Sequence, residues 1–233
     1  LVLLPLFMQT LLGWTAVTAG IWTSPRGIGT ALCMPLVGYL LSKNWDGRWM
    51  LAFGFGVAGL AFFGYSHVSL QSGTWDIFWY QVQQGVGMAF ITVPLTTLTM
   101  EGISKAETGY ATSLYSAMRN VGSSLGISFV TTWLARRSQE HQTVLVSHVT
   151  PYSIQTRQFL RQAGGLFARR GADPSTASRR GLAVLYGTVR KQGSMLSFID
   201  VFRVMGVLFL VVIPLVLLIR KPKEAAEPST ATH

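Results

Sequence analysis

The sequence predicts an all-α membrane protein, and three observations support this fold class. Hydrophobic residues make up 49% of the 233 residues and charged residues only 12%, whereas soluble domains average about 25% charged residues. Two long stretches, 49–75 and 77–100, contain no Asp, Glu, Lys or Arg. The seven tryptophans lie at or near the ends of the apolar stretches, as interfacial tryptophans do in a bilayer.

The apolar stretches divide the chain into membrane and non-membrane regions. A membrane-spanning helix needs about 20 mostly apolar residues. Residues 1–135 are predicted to hold an incomplete span and four complete ones, at about 1–12, 21–41, 49–66, 76–100 and 110–134. A last span is predicted at 196–219 and a cytoplasmic tail at 220–233. Because the chain starts inside an apolar run without Met, we expect it to be a fragment.

The region 136–195 carries most of the positive charge. It has ten basic and two acidic residues, while the whole chain has a formal net charge of +10. Its pattern predicts two amphipathic helices. The first ends near Gly171, and the second starts with Asp173 as N-cap and Pro174 as first helical residue, then leads into the last span.

The distribution of basic residues predicts an orientation. If each span crosses the membrane once, one side of the membrane holds Lys43, Arg48, Lys105 and the tail. The positive-inside rule makes that side cytoplasmic. The basic region 136–195 then lies outside, against the rule, although the rule weakens for loops of about 60 residues.

Polar side chains at membrane depth are the candidates for function, because they are costly there unless paired or solvated. Arg119 has two interpretations. Its side chain either faces a cavity and holds an anion, or it forms a structural pair or snorkels to the membrane interface. Asp200 is either a local ion pair with Arg203 or a proton-titrating group, and the glutamines either join helices or contact a ligand. The candidates for a substrate or proton pathway are Arg26, Gln83, Gln84, Arg119, Asn120 and Asp200.

Other features carry a simpler interpretation. Gly122 and Gly126 form a small-xxx-small pair that predicts close helix packing. No metal-ligand spacing, P-loop or catalytic pattern is present in the sequence. The paired arginines of 136–195 suit a membrane surface or a protein partner, so we expect no nucleic-acid partner.

The segment from Gly38 to Arg48 resembles the loop signature of the major facilitator superfamily, which joins two helices on the cytoplasmic side. The matching residues are Gly38, Lys43, Gly47 and Arg48, while Ser42 stands where the signature has an acid. This departure is common in the second copy of the loop, so the resemblance favours a C-terminal half.

Further stretches resemble one branch, the fourteen-span drug:proton antiporter family of EmrB/QacA type. They occur in the expected order along nearly the whole chain. They are Pro25–Gly29, Val93–Thr97, Met118–Gly126, Arg136–Tyr152 and Met195–Phe202.

The resemblance implies the C-terminal six-helix half of a transporter, with its first helix truncated and a long helical periplasmic loop at 136–195. It implies multi-pass insertion in the bacterial inner membrane and proton-driven export of amphiphilic drugs, with no cofactor beyond the proton gradient. The implied partners are the lipid bilayer, the missing N-terminal half, a periplasmic adaptor and an outer-membrane channel. Two alternatives stay open, a non-transporting scaffold that binds the adaptor and, less favoured, a membrane-embedded enzyme acting on lipids.

Overall fold

The computed structural model describes residues 3–69, 73–104, 106–150, 152–169, 171 and 173–218. All regular structure within these residues is helical, which confirms the all-α prediction. The helices are α1 Leu3–Thr10, α2 Ala16–Ser42, α3 Gly47–Ser66, α4 Thr74–Met100, α5 Thr108–His148, α6 Ile154–Arg169 and α7 Pro174–Leu217.

The helix ends in the basic region follow the local sequence signals. The side chain of Asp173 accepts a hydrogen bond from the Ser175 N–H at 3.2 Å, and Pro174 is the first residue of α7. Gly171 follows α6 with φ of +84°, and its N–H bonds to the Ala168 carbonyl. The predicted helix stop and the predicted start are therefore confirmed.

The helices form a row held together by close backbone approaches. Helix α4 packs between α2 and α3, α3 packs between α4 and α7, and α7 carries both α5 and α6. A Cβ built at Gly54 would lie 2.9 Å from the Gly87 carbonyl oxygen, and one at Gly59 would lie 3.3 Å from that of Gly206. Glycines at these crossings let the backbones of α3, α4 and α7 approach closely.

An aromatic cluster fixes α1 against α3 and α7. Phe7 of α1 meets Phe198 edge-on with ring centroids 5.3 Å apart, and Phe202 lies 5.4 Å from Tyr65 of α3. All four rings are almost completely buried. An edge-to-face pair such as Phe7 and Phe198 contributes about 0.5–1.5 kcal/mol beyond the area it buries.

Helices α5 and α7 are much longer than a bilayer requires. They have 41 and 44 residues, so at about 1.5 Å per residue they reach roughly 60 Å, twice the hydrocarbon thickness of about 30 Å. Neither helix ends at the predicted boundaries 135/136 and 195/196. The predicted loop region is thus mostly a continuation of these two helices plus α6.

Two helices in the described part of the chain are long and apolar enough to cross a membrane, α3 and α7. Helices α2, α4 and α5 have the length but not the mean hydropathy. The six predicted spans, one of them partial, therefore stay a prediction.

Candidate functional site

A cavity of about 510 Å³ lies between α1, α2, α3, α4, α5 and α7. Its wall is mostly apolar, with Phe62, Met88, Phe129 and Phe209 among the lining residues. Five polar side chains also reach it, and they are Arg26, Tyr65, Gln84, Ser123 and Thr131. A mainly apolar cavity with a few polar groups is typical of a small-molecule site.

Three of these polar groups come from three neighbouring helices. The Tyr65 hydroxyl of α3 lies 3.5 Å from Oε1 of Gln84 on α4, and both side chains are buried. Half-buried Arg26 of α2 reaches the same cavity. The arrangement combines one cation with an amide and a hydroxyl, which suits the polar end of an amphiphile.

A close crossing of α2 and α4 places Arg26 in the wall. A Cβ at Gly85 would collide with the Arg26 carbonyl oxygen, so only glycine allows this approach. The Thr30 hydroxyl lies 2.9 Å from both the Arg26 and the Gly85 carbonyl oxygens, and so links the two helices. The sequence pointed to Arg26 and Gln84 as candidates but not to Tyr65, whose hydroxyl has no distinguishing pattern in an apolar run.

The other glutamines of α4 lie apart from the cavity wall. Gln81 is fully buried, and its Nε2 donates to the Trp22 carbonyl of α2 at 3.4 Å. Its Oε1 is buried and has no hydrogen-bond partner among the described residues. Gln83 is half-buried and does not line the cavity. The glutamines thus divide between a contact that joins helices and a place in the cavity.

Four of the predicted residues lie on α5, a helix in which no residue is buried. Arg119 and Asn120 are exposed and outside the cavity lining. A Cβ at Gly122 or Gly126 would meet no atom within 4 Å, and Gly126 lines the cavity. The close packing expected at these glycines is not made within the described chain.

Asp200 of α7 forms its ion pairs with α5 rather than within its own helix. Its Oδ2 lies 2.8 Å from His141 Nε2 and 4.0 Å from Arg137 Nε. The prediction of a local ion pair between Asp200 and Arg203 was wrong, because the carboxylate faces the extension of α5 while Arg203 is exposed. His141 was not among the predicted candidates, although its i+4 spacing from Arg137 places both on one helix face.

The loop between α2 and α3 contains the resemblance motif. Ser42 donates to the Tyr39 carbonyl at 2.7 Å, and the Lys43 ammonium lies 4.7 Å from the Tyr39 ring centroid. Gly38 at the end of α2 has open space around it, and a Cβ at Gly47 would lie 3.3 Å from Leu98 of α4.

The loop does contain an acid beside Arg48, and this acid, Asp46, lies four positions after Ser42. Asp46 caps α3 by accepting from the Arg48 N–H at 3.2 Å, and its Oδ1 lies 3.8 Å from Arg48 Nε. Nη2 of Arg48 is buried and finds no hydrogen-bond partner within the described ranges. A carboxylate therefore lies beside Arg48 at position 46, whereas position 42 of the motif holds a serine.

Comparison with known proteins assigns the family. The sequence model of the Major Facilitator Superfamily matches residues 1–137. The fatty acid resistance protein FarB of Neisseria gonorrhoeae is 30% identical over 222 residues, covering 95% of this chain and 42% of the relative. The multidrug export protein EmrB of Escherichia coli K12 is 28% identical, covering 100% of this chain and 44% of the relative.

A third relative is the colistin resistance protein EmrB of Acinetobacter baumannii, 25% identical over 76% of this chain and 34% of the relative. The chain spans less than half the length of these relatives. They are export and resistance proteins of a transporter superfamily, not enzymes. The chain belongs to the major facilitator superfamily and to its EmrB-like branch.

Proposed function

We propose that this chain is the C-terminal part of a proton-coupled multidrug exporter of the bacterial inner membrane. The observation that carries the proposal is the mainly apolar cavity with Arg26, Tyr65 and Gln84 in its wall. An amphiphile would place its apolar body against the aromatic wall and its polar end near these three groups. Two relatives are named for multidrug export and for fatty acid resistance, and these names support an amphiphilic substrate.

The open faces of α2 and α5 support a role for a missing N-terminal half. No residue of α5 is buried, and Gly20, Gly27 and Gly122 have no neighbour within 4 Å of an added Cβ. Small residues on helix faces favour close helix contact in a membrane. In this proposal Arg119 and Asn120 on the open side of α5 face the other half, and Arg119→Ala abolishes export while insertion stays intact.

A chimera tests this function. The chain replaces the matching segment of the gonococcal relative, and resistance to amphiphilic drugs and fatty acids is measured in cells lacking their own exporter. We expect resistance, and we expect Arg26→Gln to reduce it severalfold because the cation of the cavity is lost. Arg203→Gln is the matched control, since Arg203 is exposed and outside the cavity lining. Full resistance in the Arg26→Gln chimera would contradict the proposal.

A second candidate is a non-transporting scaffold that binds a periplasmic adaptor. The favouring observation is a set of exposed apolar side chains on the basic region, among them Tyr152, Leu182 and Tyr186, which are 86%, 52% and 55% exposed. Exposed apolar surface with basic neighbours suits a protein partner. An adaptor captured by this chain, together with a chimera that confers no resistance, would favour the scaffold over the exporter.

A further inference from the structure

A second cavity adjoins the first at the junction of α1, α5 and α7. It measures about 560 Å³, and it shares Leu6 and Thr131 with the first cavity. On α7 the lining positions 187, 190, 191, 194 and 198 lie on one helix face. This face belongs to the part of α7 that enters the basic region, so the second cavity continues the first toward that region.

The second cavity differs from the first in its charge. Arg190 and Lys191 line it, together with the hydroxyls of Ser138 and Ser194, whose oxygens lie 3.2 Å apart across α5 and α7. Leu134, Phe198 and other apolar side chains complete the wall. One cavity thus offers two cations and several hydroxyl groups beside an apolar surface.

The two cations are not neutralised by neighbouring acids. No Asp or Glu carboxylate in the described part of the chain lies within 4.0 Å of Arg190 or Lys191. Asp200, on the same helix, is held by His141 at 2.8 Å, and Glu140 is held by Arg137 at 2.9 Å. The positive charge at the cavity is therefore available to a ligand.

We propose that this second cavity binds the anionic head of an amphiphile, a carboxylate or a phosphate attached to an acyl chain. Arg190 and Lys191 would meet the head group, and the chain would extend past Leu6 and Thr131 into the first cavity. An amphiphile with a cationic head would be repelled by the same two residues. The inference rests on the proposed function in treating the first cavity as the substrate cavity.

Two sources supply this head-group chemistry, a free fatty acid and an anionic phospholipid. The chain is purified in an uncharged detergent, and laurate binding is measured by calorimetry. We expect Arg190→Gln with Lys191→Gln to weaken laurate binding about tenfold or more, the equivalent of one or two charge-assisted hydrogen bonds. Binding of dodecyltrimethylammonium should not weaken.

Two variants control for charge and folding. Arg161→Gln with Arg169→Gln removes the same charge from exposed positions of α6 outside the cavity and should leave laurate affinity within about twofold. The charge-preserving pair Arg190→Lys with Lys191→Arg should retain laurate binding even if the glutamine pair folds poorly. Unchanged laurate affinity in the double variant Arg190→Gln with Lys191→Gln, or an equal loss in the α6 control, would overturn the proposal.

A competition separates the two sources. The same titration is run in phosphatidylcholine nanodiscs with and without phosphatidylglycerol. Loss of laurate binding only when phosphatidylglycerol is present assigns the cavity to a lipid head group, and unaffected binding assigns it to the fatty acid. Because calorimetry requires no transport, a chimera without resistance whose chain still binds laurate would contradict the exporter and leave this site standing.

Discussion

Replacing Gly87 by Ala should weaken the contact between α3 and α4, which supports the cavity. A Cβ at this position would lie 2.8 Å from the Ala58 nitrogen and 2.9 Å from the Gly54 carbonyl oxygen. Ordinary van der Waals contact begins at 3.4 Å, so the two backbones must separate by about 0.5 Å. Such overpacking costs about 1–3 kcal/mol.

The matched control is Gly122→Ala on α5, where a Cβ would meet nothing within 4 Å. Both substitutions gain the same helix propensity, about 1 kcal/mol, which cancels when the two variants are compared. The Gly87→Ala chain should therefore have a free energy of unfolding about 1–3 kcal/mol below that of the control. The assay is unfolding in mixed micelles titrated with dodecyl sulfate, followed by the helical circular dichroism signal.

A second substitution checks the geometry behind this number. Gly54→Ala places a Cβ 2.9 Å from the Gly87 carbonyl oxygen, across the same crossing. One separation of the helices relieves both contacts, so the double variant should lose at least about 0.5 kcal/mol less than the sum of the two single losses. Equal stability of the Gly87→Ala and Gly122→Ala chains, or strict additivity of the double variant, would refute the reasoning.

Three further predictions concern polar groups. A double-mutant cycle of His141→Gln and Asp200→Asn should give a coupling free energy of about 0.5–1.5 kcal/mol in the same unfolding assay. A coupling of zero would show that this pair does not stabilise the contact between α5 and α7. Hydrogen bonds from Ser175 hold the pKa of the Asp173 carboxyl below its ordinary value. The stabilisation by this cap is therefore complete when the pH is above the ordinary pKa of Asp. It is lost as the pH falls through the lower pKa that Asp173 has in the folded chain. Amide exchange at the start of α7 should thus accelerate in acid, and Asp173→Asn should abolish this pH dependence. In laurate titrations of the purified chain, Arg26→Gln should change the affinity by no more than about twofold, because only the acyl chain reaches the first cavity, and a loss of about tenfold would contradict the placement of the head group at Arg190 and Lys191.

Local signals in the sequence were sufficient to predict the all-helical fold class and the helix ends near Gly171 and Asp173, but not the lengths of α5 and α7. The cap at Asp173, the stop at Gly171 and the helical course of the basic region depend on neighbouring residues alone. The family was also accessible from motifs, because the loop from Gly38 to Arg48 has a recognisable order of glycines and bases.

The site was only partly predictable because it depends on how helices cross. Arg26 and Gln84 were candidates by their cost at membrane depth, but Tyr65 joins them only through the packing of α3 on α4. The partner of Asp200 was predicted wrongly, since ending the span at residue 134 removed His141 from the helix that faces it. The second cavity had no sequence signal, because its cations belong to α7 and its hydroxyls to α1, α5 and α7.

Uptake into inverted membrane vesicles tests the central claim most directly. Vesicles carry the chimera built from this chain and the N-terminal part of the gonococcal relative, and labelled laurate is followed after a proton gradient is imposed. We predict accumulation that a protonophore abolishes and that Arg26→Gln reduces severalfold while Arg203→Gln does not. A chimera inserted at normal levels that shows no protonophore-sensitive accumulation of laurate or of a drug panel would contradict the account.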